Sequence, residues 1–227
     1  MATNYPDPRR ARVLLGDSLE VIPHLVLHER LVSDVFTGLP DANEMDISVE
    51  EWRPWFAEAM RTCLTVLHPT DGVGVFYQTD RRYDGGTESK AHTVIEIANQ
   101  MGFRVLWHKI AVKGLGTNLF RPNYSHVIAV GGSHARSGKA FPDVFEQGKK
   151  VYPNAIDERG LDLVTEFFAR RGTSHLLDPF CGWGTIAARA SLAGISTTSI
   201  DIDPDQVERT KNRLGITFTG DEFDLQS

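Results

Sequence analysis

The stretch His175-Leu-Leu-Asp-Pro-Phe-Cys-Gly-Trp-Gly-Thr185 constrains this chain more than any other. It reads as a buried strand ending at Asp178, then a turn in which Gly182 and Gly184 let the backbone approach a ligand closely. The helix that follows has free N–H groups in its first turn that face the same point. A second strand, Ser196 to Ile200, leads into Asp201, 23 residues after Asp178. A carboxylate there can accept hydrogen bonds from both hydroxyls of a ribose. Together these features describe a cradle for an adenosine-containing small molecule. A dinucleotide fingerprint fits less well, because Ala187 stands where GxGxxG needs its third glycine.

The rest of the pattern places this cradle in an α/β fold. Apolar, β-branched segments at 12–15, 31–36, 74–78, 104–111, 126–130, 175–177 and 196–200 read as strands. Helical patterns at 49–66, 90–101, 160–169, 186–193 and 204–213 lie between them, as expected of a largely parallel sheet. Ser48 and Glu51 form a capping box that starts the first of these helices. With 227 residues, 41% of them hydrophobic and 24% charged, the chain can bury a sizeable core and is not disordered. We expect one domain over 1–227, with an acceptor half at about 12–130, a short variable loop at 131–151 and a cofactor half at about 152–214.

Composition removes several function classes. No apolar run approaches the roughly 18 to 20 residues of a membrane span, and the polar segment Met1 to Arg12 lacks the apolar centre of a secretory signal. We therefore expect a cytoplasmic protein with no membrane partner. Cys63 and Cys181 are too far apart in sequence for a CxxC site and argue against a disulfide framework. His24 and His28 share helical spacing but have no evident third ligand, so no metal is expected. The net charge of −6 means that a nucleic acid would have to meet a local basic patch. The candidates are Arg9, Arg10 and Arg12; Arg81 and Arg82; Lys149 and Lys150; and Arg170 and Arg171.

The sequence D-P-F-x-G-x-G-T from Asp178 to Thr185, followed by I-D-I-D-P from Ile200 to Pro204, resembles the S-adenosylmethionine motif of amino-methyltransferases that act on exocyclic base nitrogens. This motif comes late here, preceded by Gly16-Asp17-Ser18, by a strand entering Thr37-Gly38-Leu39-Pro40-Asp41, and by Trp107-His108-Lys109. That order resembles the permuted β-class of DNA cytosine-N4 and adenine-N6 methyltransferases over roughly residues 12 to 214. The resemblance implies a Rossmann-like methyltransferase fold and S-adenosyl-L-methionine as cofactor. The cofactor would be held by Asp17, Asp178, Pro179, Phe180, Gly182, Gly184, Thr185, Asp201 and Ile202. Asn154 occupies the place of the family segment that reaches the methionine end. Trp183 stands where a small residue is usual in the turn, either over the cofactor entrance or as packing.

The implied catalytic segment, Thr37, Gly38, Pro40 and Asp41, departs from the family tetrapeptide D/S-P-P-Y. In the family the first side chain and a nearby carbonyl hold the target amine, and the tyrosine stacks on the extruded base. Gly38 has only its carbonyl, and Asp41 replaces the tyrosine. Either the backbone and Asp41 take over, with Asp41 as proton acceptor, or the acceptor atom differs, or the segment is a turn leading into a helix. Tyr77, Gln78, Asp80 and Arg81, at the end of another strand, are candidates to touch the acceptor. In the Gly-rich loop beyond, Asn118, Arg121, Tyr124 and His126 include a phosphate partner in Arg121 and a stacking ring in Tyr124.

Three readings of function follow. The first is a methyltransferase of a base amino group in DNA or RNA, with a specificity partner or homodimer, because about twenty residues between Val130 and Tyr152 are too few for a separate reading domain. The others are a methyltransferase of a small molecule or modified nucleoside, and a catalytically silent cofactor-binding subunit.

Overall fold

The computed structural model describes residues 7–83, 85–116, 121–138 and 141–216. In chain order the elements are β1 (Ala11–Leu15), α1 (Ser18–His28), β2 (Asp34–Thr37), α2 (Val49–Leu64), β3 (Val73–Gln78), β4 (Arg81–Tyr83) and β5 (Gly86–Glu88). They continue with α3 (Lys90–Gln100), β6 (Arg104–Val112), β7 (Tyr124–Gly131), β8 (Val144–Glu146) and α4 (Glu158–Arg171). The last four are β9 (His175–Asp178), α5 (Thr185–Leu192), β10 (Ser196–Asp201) and α6 (Pro204–Leu214). Eight strands form one sheet in the order β1-β10-β9-β2-β3-β7-β6-β8, and β4 pairs with β5 in a separate hairpin. From β1 to β3 all pairings are parallel, whereas β7 is antiparallel to both β3 and β6.

The central strands are apolar because both faces are covered. All six residues of β3 are buried, as a parallel sheet between two helix layers requires. On one face, Val21 and Ile22 of α1, Phe56 and Met60 of α2, and Val94 and Ile97 of α3 build a core against Val35, Phe76 and Leu177. On the other, Val164 and Phe168 of α4 and Ile186 and Ala190 of α5 pack on Phe36, Val75 and Leu176. The capping box is formed as read: Ser48 Oγ accepts from the Glu51 amide at 3.2 Å, and the Glu51 carboxylate accepts from the Ser48 amide at 3.1 Å.

Several expectations need correction. Residues 31–33 are not strand, and β2 runs instead from Asp34 to Thr37, where its ladder with β9 and β3 begins. Helix α1 has no counterpart in the sequence reading. It is started by Asp17, whose carboxylate accepts from the Leu19 amide at 2.9 Å, and it tolerates Pro23 in its interior. The hairpin and β8 are three-residue strands, too short to leave a periodic signal. No helix among the described residues is long and apolar enough to cross a membrane.

Candidate active site

Strands β2 and β9 lie side by side and run parallel, yet the chain leaves them in opposite directions. From β2 it passes through α2 to β3, and from β9 through α5 to β10 on the other side. The crevice outside the carboxyl ends of such a pair is where open α/β sheets bind ligands. Here those ends are Thr37 and Asp178, joined by a 2.9 Å hydrogen bond from Thr37 Oγ1 to Asp178 Oδ1. A cleft of about 700 Å³, open mouth included, lies over them. It brings together Gly38 and Asp41 after β2, Tyr77 and Gln78 at the end of β3, and Asp178, Phe180 and Thr185 after β9. Asn154 joins them from the segment before α4, and Arg121 from the loop before β7. These candidates come from distant stretches of chain.

The turn after β9 is built as its glycines require. Gly182 and Gly184 have φ of +51° and +66°, and a Cβ at either would stand 2.4 Å from the Tyr152 hydroxyl or 2.6 Å from Thr210 Cγ2. Burial pushes the Asp178 carboxyl up to about 7, although the Thr37 hydroxyl and the Phe180 amide both stabilise its charged form. One Asp201 oxygen accepts from the Gly182 amide at 2.8 Å and the other from the Asp203 amide at 3.0 Å. Each retains acceptor capacity. The parallel register pairs Leu15 with Asp201, and Gly16 N–H donates to the Asp201 carbonyl, which sets Asp17 at the strand end next to Asp201 and the exposed Ile202. The Ser18 hydroxyl donates to the Pro179 carbonyl and ties the first turn of α1 to this loop. Asp17, Pro179, Gly182, Gly184, Asp201 and Ile202 thus stand along the strand ends outside the cleft lining. Trp183 stacks on Tyr152 at 4.6 Å beneath Arg209, so its ring has a packing role.

The acceptor side differs from the sequence reading. Asp41 is buried and its carboxylate is occupied. Lys90 Nζ contacts one oxygen, while Arg81 Nε lies 3.1 Å and Arg121 3.8 Å from the other. A carboxylate held by three cations is a poor proton acceptor, so the geometry speaks for Asp41 as an anchor. Arg81 is held in this ion pair, and it also contacts Asn43. Pro40 presents its carbonyl to Trp52 Nε1 at 3.0 Å, and Thr37 is wholly buried on Asp178. Asp80 caps α3 by accepting from the Lys90 amide at 2.9 Å, and lies 3.1 Å from His126. Tyr77 donates its hydroxyl to Asp157 at 2.5 Å, an approach allowed because position 160 is glycine: a Cβ there would lie 2.7 Å from the Tyr77 ring. Tyr124 packs edge-on against His126 and faces a separate depression. Asn118 lies outside the described residues.

Lys90, absent from the sequence reading, lines the cleft and is 3% exposed. Burial pushes its ammonium down to about 7, with Arg121 and Lys113 adding to the effect, and its Nζ contacts the Asp41 carboxylate. Lys150 also reaches the cleft. Two of the four basic clusters therefore converge here, through Arg81 and Lys150, whereas Arg171 donates to the backbone of Asp71 and Arg136. Trp107 and Lys109 point away, toward Phe141, Phe167 and Asp143.

No family model matches the sequence, and no curated protein matches it. Solved structures do resemble the fold. The PvuII DNA methyltransferase, cytosine-N4-specific, superposes with a TM-score of 0.71 at 16% identity, covering 92% of this chain and 88% of its own. M1.HpyAVI with S-adenosylmethionine gives 0.64 at 14%, covering 90% and 98%. TTHA0409 of Thermus thermophilus, a proposed DNA modification methylase complexed with S-adenosyl-L-methionine, gives 0.64 at 18%, covering 90% and 93%. The chain has the fold of these three structures, a mostly parallel mixed sheet covered by helices on both faces.

Proposed function

We propose that this chain is an S-adenosylmethionine-dependent methyltransferase that modifies an exocyclic amino group of a nucleic-acid base. The observation that carries the reading is the cleft itself, in which Asp178, Phe180 and Thr185 after β9 meet Gly38 and Asp41 of the loop after β2 at the switch point of the sheet. The residues there suit the cofactor. A buried carboxyl, Asp178, offers a counter-charge for a cationic ligand, and the tight turn at Gly182 and Gly184 leaves its backbone bare. Asp201 with Asp17 supplies carboxylates for ribose and adenine. When bound, S-adenosylmethionine supplies a sulfonium methyl that passes to an amine nitrogen, leaving a thioether, while the amine proton leaves to solvent.

The chain's own residues then have distinct duties. Thr37 fixes Asp178, and Asp41 holds Lys90, Arg81 and Arg121 at the acceptor mouth. Arg121 and Lys150, which reach the cleft from loops, give an acidic protein a local surface for phosphate. Tyr152 and Asn154 close the methionine side. We further propose a cytoplasmic location, one domain, and a specificity partner or second copy that reads the target sequence. The test is transfer of labelled methyl from S-adenosylmethionine to DNA, RNA and nucleosides in parallel. Incorporation into a polynucleotide supports the reading, and labelling of none of them, by a protein that binds cofactor, contradicts it.

One observation favours a small-molecule or modified-nucleoside acceptor. The variable segment folds back on the domain, where β8 extends the sheet beside β6 and Gln147 bonds the Tyr77 hydroxyl at 3.1 Å. It is spent on the fold rather than on a reading surface. Labelling of nucleosides alone would select that reading.

A further inference from the structure

Among the described residues of the cleft lining, one buried side-chain atom lacks a partner. Gln78, the last residue of β3, is 1% exposed and lines the cleft, and its Nε2 has no hydrogen-bond partner among the described residues. A buried amide nitrogen without a partner costs stability and is rarely retained unless something else satisfies it. It sits beside the position where the acceptor loop lacks a side chain. A Cβ at Gly38 would stand 3.0 Å from the Tyr77 carbonyl oxygen, so the end of β3 already crowds the space that a residue at 38 would need. The strand that fills this space presents Gln78 one residue later. Lys90 and Asp41 line the same cleft and contact each other, so neither is without a partner as Gln78 Nε2 is.

We propose that Gln78 is the acceptor-reading residue of this site, and that its amide binds the N–C–NH2 edge of an amino-heterocycle, donating to the ring nitrogen and accepting from the exocyclic amine. The inference rests on the methyltransferase reading and names the chemistry of its acceptor. Cytosine, through N3 and N4, and adenine, through N1 and N6, both present that edge. A primary carboxamide matches it with two parallel hydrogen bonds, and the amide can be oriented either way until the ligand fixes it. Gln78 would thereby hold the amine that Gly38 cannot hold by a side chain, and would orient it toward the methionine end of the cleft.

The test is a cycle between protein and ligand. Wild-type protein and Gln78→Leu, each saturated with S-adenosylhomocysteine, are titrated with short oligonucleotides carrying one cytosine or one 3-deazacytosine, and likewise adenine or 1-deazaadenine. The deaza bases keep the amine and lose only the ring acceptor. We expect wild type to bind the natural base of one pair about 10- to 100-fold more tightly than its deaza partner, and Gln78→Leu to treat the two alike. Gln78→Glu, which keeps the size but cannot donate at neutral pH, is expected to behave like Gln78→Leu and guards against a packing effect. Equal penalties in wild type and Gln78→Leu overturn the assignment, as does wild-type protein that binds S-adenosylhomocysteine yet distinguishes neither pair. Failure to bind S-adenosylhomocysteine overturns the methyltransferase reading itself and is scored separately, before any oligonucleotide is added.

Discussion

The two sides of the cleft are built on different plans. On the cofactor side most working parts come from one continuous stretch, Asp178 to Ile202, in which the strand end, the glycine turn, the helix start and the second strand end follow in order, with Asp17 and the segment Tyr152 to Asn154 added from elsewhere. On the acceptor side the loop after β2 supplies a glycine and a buried aspartate, and the polar groups that face the cleft come from elsewhere: Gln78 from β3, Lys90 from α3, and Arg121 and Lys150 from loops. The first side gets its geometry from local backbone, so its sequence must be kept as a block. The second gets its geometry from the sheet, so a function lost at one position can be taken up by a residue far away in the chain.

That contrast can be broken most severely at Asp41. In Asp41→Ala the buried Lys90 loses its counter-ion, and we expect a loss of about 3–5 kcal/mol in urea unfolding at pH 7. The double variant Asp41→Ala with Lys90→Met should recover part of it, because the most deeply buried of the three cations is removed with its partner. A small loss in the single variant would show that the pair does not organise the acceptor side.

Asp178 tests the other side through pH. Its folded carboxyl titrates at about 7, raised by burial above the ordinary 3.8, so the folded state holds the proton more tightly than the unfolded chain does. The resulting stability is full below about pH 4 and is lost as pH rises through 7. Between pH 5 and 8 wild type should lose about 2–3 kcal/mol that Asp178→Asn does not lose. Parallel pH profiles of the two proteins would contradict the burial-driven shift.

Gly184→Ala forces a side chain into the left-handed region and against Thr210, with an expected cost of about 2 kcal/mol in thermal unfolding. An unchanged midpoint would mean that the turn is not held as a block. Asp201→Ala should weaken binding of S-adenosylmethionine by about 1–2 kcal/mol in calorimetry. Unchanged affinity would remove Asp201 from the site.

What the sequence reveals follows the same division. The turn at Gly182 and Gly184, the acid at Asp201 and the strands around them are legible because the local sequence alone dictates them. The acceptor side is less so. Gln78 can be singled out as a polar residue closing an apolar strand, but its lack of a partner becomes visible only when the sheet is assembled. Lys90 does carry a local signal. It follows the cap Ser89 at the first position of α3, where a cation opposes the helix dipole. An unfavourable lysine there marks a partner, which is Asp41. Pro23 hides helix α1, and the pairing of Tyr77 with Asp157, 80 positions away, has no local signature.

The most direct measurement is calorimetric titration of the purified protein with S-adenosylmethionine, with NAD as the control ligand. We expect saturable heat with S-adenosylmethionine, none with NAD, and loss of the former's affinity in Asp201→Ala. Binding of NAD in its place, or of neither ligand, would contradict the assignment of the turn at Asp178–Thr185 as a methyl-donor site and leave it a scaffold.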